Sequence, residues 1–204
     1  VAKFGQVFGF EMRRASRELH GNDEWNRTFG QVFELWARDV AVRTHAAAKP
    51  TWAVDVSEKI GDMDELEDVV LRADTRVALI SAKSRLMPGD LATATADPAV
   101  AVGWYDSLLF FEGDRAHRRG ALRLLDDRVR RIREGRAHVA SRSRIYPVLL
   151  TFERLGDSPI LHQWVAKRCG ETGILQQDDV ARPTFLSASE YEHLLAAGAT
   201  GVDP

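Results

Sequence analysis

Asp68, Ser81 and Lys83 have the types and the spacing to do chemistry together. They lie in DELEDVVLRADTRVALISAKSR, residues 64 to 85, which reads as two short strands, Leu66 to Arg72 and Arg76 to Lys83, joined through Ala73-Asp74-Thr75. Both runs are rich in Val, Leu and Ile, which suits a pleated, mostly buried surface. A turn centred on Asp74-Thr75 sets Arg72 opposite Val77, Val70 opposite Leu79 and Asp68 opposite Ser81. Strand side chains alternate between faces, so Asp68, Ser81 and Lys83 then point the same way. An acid, a small polar residue and a lysine at the ends of two adjacent strands are an unusual trio to place together. An exposed Asp–Lys pair at a hairpin end would be worth under about 1 kcal/mol. These strands are apolar enough to be central, however, and a lysine there needs a reason to be present.

The order of these residues resembles the PD-(D/E)XK nuclease superfamily. Asp68 matches the first acid, Val69-Val70-Leu71 the apolar run after it, and Ser81-Ala82-Lys83 the (D/E)-x-K triplet. The resemblance implies a divalent ion, Mg²⁺ or Mn²⁺, held by acids at the first and triplet positions, with the lysine orienting the attacking water. Ser81 stands where a carboxylate belongs, and a hydroxyl is a much weaker ligand for a hard cation. Glu34, in Gly30-Gln31-Val32-Phe33-Glu34, resembles the helix-borne Glu that the superfamily aims at its metal. Glu11 is the alternative. Asp68, Glu34 and the backbone carbonyl of Ala82 could together offer three oxygens. Glu67 alternates to the other face of its strand and is a poor substitute unless a bulge turns it.

The total charge of −2 hides an asymmetry. From Arg115 to Arg144 there are eleven arginines and no lysine, against Asp126, Asp127 and Glu134, a net +8 that leaves −10 on the rest. Arginine grips phosphate through paired N–H groups, so Arg118, Arg119, Arg123 and Arg133 are candidates for nucleic-acid contact. Asp126 with Arg130 and Asp127 with Arg131 are acid-first i, i+4 pairs, the pattern of a solvated helix face. The single Cys169 excludes an internal disulfide framework and fits a reducing compartment. No H-E-x-x-H, Walker loop, G-x-S-x-G or G-x-G-x-x-G occurs, which removes the usual zinc, NTPase, hydrolase and dinucleotide readings. No run of about 18 apolar residues is present. The chain opens at Val1 rather than Met, so an upstream part is expected.

Apolar periodicity predicts helices over 2 to 20 and 24 to 46. The second carries Trp25, Phe29, Val32, Phe33, Trp36 and Val40 on one stripe and Gly30, Glu34, Ala37 and Ala41 on the other, small enough to lie close to a sheet. Trp52 to Val56 alternates as a strand. Asp97-Pro98 starts a helix with Trp104, Leu108 and Phe111 inward, and a helix over 115 to 134 buries Leu122, Leu125, Val129 and Ile132. Arg144 to Phe152 reads as a strand that Pro147 makes edge-like or interrupted. Ser158-Pro159 starts a helix ending near Cys169-Gly170, Thr184 to Leu186 is a short strand, and Ser189 with Glu192 forms a capping box for a last helix.

The expected architecture is α/β, with a restriction-endonuclease-like core of helix, three-strand meander, helix and strand. It occupies one domain over 1–198, with an additional N-terminal helix over 1–22, further C-terminal helices, and a frayed tail over 199–204. The resemblance implies a DNA-acting endonuclease, of a kind that often serves in bacterial restriction or defence and often dimerises or joins partner domains, and the single Cys169 adds a cytoplasmic location to the expectation. The alternative is a catalytically inactive nuclease-fold module that binds DNA or a protein partner within a larger protein.

Overall fold

The computed structural model describes residues 22–48, 52–55, 59–60, 64–65, 67–84, 97–112, 119–137, 139–152, 155 and 159–199. The helix expected over 2 to 20, Glu11, Arg118 and the 199–204 tail beyond Ala199 lie outside them. The described chain is mixed α/β, with five helices and a five-stranded open sheet. The elements are α1 (Asn22–Ala48), β1 (Ala53–Asp55), β2 (Lys59–Ile60), β3 (Asp64–Glu65), β4 (Val69–Ala73), β5 (Arg76–Lys83), α2 (Pro98–Leu109), α3 (Ala121–Arg133), β6 (Arg144–Thr151), α4 (Pro159–Thr172), β7 (Thr184–Ser187) and α5 (Ala188–Ala199). The main sheet runs β1-β4-β5-β6-β7, antiparallel from β1 to β5 and parallel from β5 to β7, and β2 and β3 pair with each other apart from it.

The β4–β5 register is the one the turn dictates. Val70 pairs with Leu79, Arg72 with Val77 and Ala73 with Arg76, leaving Asp74-Thr75 as a two-residue loop. Asp74 takes φ 50°, a left-handed conformation that Asp tolerates better than most side chains.

Each face of the sheet has its own core. On one, Val69, Ile80, Ala82, Val148 and Leu150 meet Phe33, Ala37 and Ala41 of α1 and Tyr191 and Leu195 of α5. Ala37 and Ala41 are fully buried, so the small side of α1 is indeed the one laid on the sheet. Val32, expected on the buried stripe, is 55% exposed. Tyr191 donates to the Ala37 carbonyl at 3.0 Å, which ties α5 to α1. On the opposite face, Val70, Val77, Leu79, Ile145 and Leu149 pack on α2, α3 and α4. Leu122, Leu125, Val129 and Ile132 of α3 are fully buried as their spacing predicts. Phe110 fills the place expected of Phe111, which is exposed. Gly120, just before α3, sits so close to Leu109 that a β-carbon would lie 2.4 Å from its backbone carbon.

Pro147 is not at an edge. β6 lies between β5 and β7, with Pro147 opposite Leu79. The residue is tolerated because of what faces its missing N–H. Ile145 bonds sideways to the segment before β7, through Asp179 and Ala181, and Pro147, two residues on, faces the same side. There the neighbouring segment gains one residue between its bridge at Val180 and the first β7 pair at Thr184, so the ladder is already interrupted. The last cap also moves. Ser187 and Glu190, rather than Ser189 and Glu192, form it: the Ser187 N–H and hydroxyl both donate to Glu190 Oε2, at 2.8 and 2.7 Å. Cys169 is buried in the core of α4. Among the described residues no helix is long and apolar enough to cross a membrane.

Candidate active site

A bend at Asp68 decides the layout around the β4–β5 pair. Val70, Val77 and Leu79 face α3, so alternation along β5 places Ser81 and Lys83 on that face too. The ladder stops at Val69 opposite Ile80. One residue earlier the chain turns, and the Asp68 carboxylate accepts the N–H of Ala82 at 2.7 Å. A strand N–H points along the sheet toward its neighbour, so Asp68 Oδ2 lies in the plane of the sheet, where the next β4 carbonyl would have been. Arg38 of α1 approaches from the other core: its Nε donates to the Asp68 carbonyl at 3.1 Å, and its Nη2 is 3.8 Å from Asp68 Oδ1.

Glu67 occupies the place that simple alternation gave to Asp68. It is buried, 8% exposed, and the charges it feels are those of the α3 face. Burial pushes its carboxyl from 4.5 up to about 6, and the Asp68 charge pushes the same way. Lys83, the Ser81 hydroxyl and Arg128 of α3 draw it back in part. The Ser81 hydroxyl is close enough to favour the ionised Glu67, yet it makes no hydrogen bond of regular geometry. Ser81 is fully buried. Alternation alone hid Glu67; the visible signal was a second acid beside Asp68 at the entry to a strand, where one irregular residue exchanges the faces.

Glu34 is placed by its neighbours on α1. Gly30 comes up to Ser84, one residue past Lys83, with the Ser84 hydroxyl 3.4 Å from where a β-carbon would stand. Arg38 bonds to Asp68. Residues 30, 34 and 38 lie four apart on one stripe, so half-buried Glu34 is bracketed between the end of β5 and the start of β4. Among the described residues, no three His, Cys, Asp or Glu side chains come together closely enough to hold a metal ion.

The arginines of the basic segment have work within the fold. Arg123 donates to the Phe110 carbonyl at 2.7 Å and lies 3.2 Å from Glu112. Arg133 donates to the carbonyls of Ser141 and Ser143 and pairs with Asp179 at 2.6 Å. Arg119 pairs with Asp127. Their lack of an i, i+4 acid made them look available, but their partners lie eight or more residues away. The surplus of +8 is therefore partly spent on holding loops. Comparison of the chain with protein-family models, with curated proteins and with solved structures finds no match.

Proposed function

We propose that the chain is a nuclease-like domain of the restriction-endonuclease type, acting on DNA through metal-dependent phosphodiester hydrolysis. The observation that carries this reading is the convergence of Asp68, Glu67, Ser81 and Lys83 at the ends of two central strands, with Glu34 bracketed beside them by α1. The element order supports it as well: a helix, a three-strand meander, helices, then a strand parallel to the third.

The donors suit a hard divalent cation, because they are oxygens and two of them are neighbouring carboxylates. The buried Ser81 hydroxyl, which makes no hydrogen bond of regular geometry, is a further oxygen beside them. Asp68 and Glu34 are the side chains that would hold Mg²⁺ or Mn²⁺. Such an ion, when bound, lowers the pKa of a coordinated water and offsets charge that develops on the phosphate. Asp68 is kept in position by Ala82 and Arg38. Half-buried Lys83 orients the attacking water and draws the phosphate oxygens in.

Cleavage of plasmid DNA with Mg²⁺ or Mn²⁺ tests the reading. Lys83→Ala should abolish it, with a loss of about 100-fold or more; undiminished cleavage by that variant removes the proposal. A second reading, an inactive nuclease-fold module that binds DNA or a protein partner, is favoured by Ser81 at the triplet's acid position. DNA binding without cleavage in both the native chain and Ser81→Glu would select it. Arg119, with 40% of its side chain exposed, is the cleaner test of the basic face, since Arg123 and Arg133 also hold loops. Arg119→Ala should weaken DNA binding and flatten its salt dependence.

A further inference from the structure

We infer that Glu67 supplies the carboxylate that position 81 lacks, so that the cation-binding acids of the two strands are the adjacent pair Glu67 and Asp68. This rests on the nuclease reading above and names the ligand set of the same site.

Three observations carry it. First, the bend at Asp68 brings Glu67 to the side of β5 that presents Ser81 and Lys83. A glutamate entering from the start of β4 thus reaches the space that a carboxylate at position 81 would fill. Second, the Ser81 oxygen is fully buried and has no hydrogen-bond partner. Buried polar atoms are nearly always paired, and this one meets Glu67 without a hydrogen bond of regular geometry, so the hydroxyl and the carboxylate face the same space with bonding capacity to spare. Third, the two acids are unequally committed. Asp68 has given one oxygen to the Ala82 N–H and turns the other toward Arg38. Glu67 is buried next to a like charge, and among the described residues Lys83, the Ser81 hydroxyl and Arg128 balance it in part. A divalent cation between the two carboxylates would relieve both the burial and the repulsion, and would give the serine oxygen a partner. A hydroxyl alone cannot do this, because hard cations select anionic oxygens.

The test is Mn²⁺ binding by the whole chain, followed by electron paramagnetic resonance and by the thermal shift that Mg²⁺ or Mn²⁺ produces. DNA cleavage is measured alongside. Glu67→Gln should weaken Mn²⁺ binding by about tenfold or more and remove most of the thermal shift. In chelator it should melt no lower than the native chain, which separates lost binding from lost folding. The double variant Glu67→Gln, Ser81→Glu should recover the binding, since it returns the acid to position 81. Unchanged Mn²⁺ affinity in Glu67→Gln overturns the assignment, and so does a double variant that recovers nothing. In both cases the nuclease reading stands if Lys83→Ala still abolishes cleavage. A native chain that neither binds Mn²⁺ nor cuts DNA removes both together.

Discussion

Two buried acids, Asp126 on α3 and Glu67 before β4, show how differently one fold can treat a carboxylate. Asp126 is 2% exposed, and both of its oxygens are occupied. Oδ1 accepts the Leu175 N–H at 2.8 Å, which fastens the turn after α4, and Oδ2 accepts Arg130 Nε and Nη2 at 3.0 and 2.5 Å. Glu67 is buried too, at 8% exposed, but its neighbours are another acid, a hydroxyl that makes no hydrogen bond of regular geometry and two cations, which balance it only in part. The first acid belongs to the architecture. The second is poorly accommodated by the fold, and buried groups of that kind gather where a protein binds or reacts.

Breaking the satisfied acid should have the largest effect. Asp126→Ala strands the Leu175 N–H and releases Arg130, and should lower unfolding stability by about 3 kcal/mol in urea titrations. A loss below about 1 kcal/mol would erase the contrast. Next, Gly120→Ala drives a β-carbon into the Leu109 backbone and should cost roughly 2 kcal/mol. It should leave the pH response of Glu67 unchanged, because the strain lies at the start of α3, away from the β4–β5 mouth.

Replacing the unsatisfied acid should act in the opposite direction. The Glu67 carboxyl titrates near 6 in the folded chain against 4.5 unfolded. The unfolded chain therefore ionises first as pH rises. Stability from protonated Glu67 is full below about 4.5 and is lost as pH climbs through 6. In chelator, Glu67→Gln should be more stable than the native chain by about 2 kcal/mol at pH 7, with the gap closing below pH 4.5. Denaturant unfolding across that range measures it, and a gap independent of pH would show that Glu67 is not held in this way. The smallest effect belongs to Ser81→Ala. It deletes a hydroxyl that favours the ionised Glu67 without a hydrogen bond of regular geometry, so stability should change by about 1 kcal/mol or less, while the apparent pKa of Glu67 rises, as a carboxyl-specific NMR titration would report.

What the sequence disclosed was what local rules control. The β4–β5 register follows from a two-residue turn, and α2 starts where Asp97 accepts the Ala99 N–H at 2.7 Å ahead of Pro98. Ala37 and Ala41 announced that α1 lies close to the sheet. What stayed hidden depends on contacts between distant segments. The exchange of Glu67 for Asp68 needs a bend whose cause is an Ala82 N–H fourteen residues on. The arginines looked free because their acceptors are backbone carbonyls and acids beyond the reach of helical spacing. Pro147 looked like an edge residue because nothing local reveals that β7 begins one step late.

Cys169 offers a way to watch this fold open. Burial, with the Asp126 charge adding to it, pushes its thiol up to about 11, and it is the chain's only sulfhydryl. A thiol-reactive dye should therefore find nothing to label in the folded molecule. The rate of slow labelling would time the parting of α3 from α4, a stopwatch already built beside the Asp126 anchor.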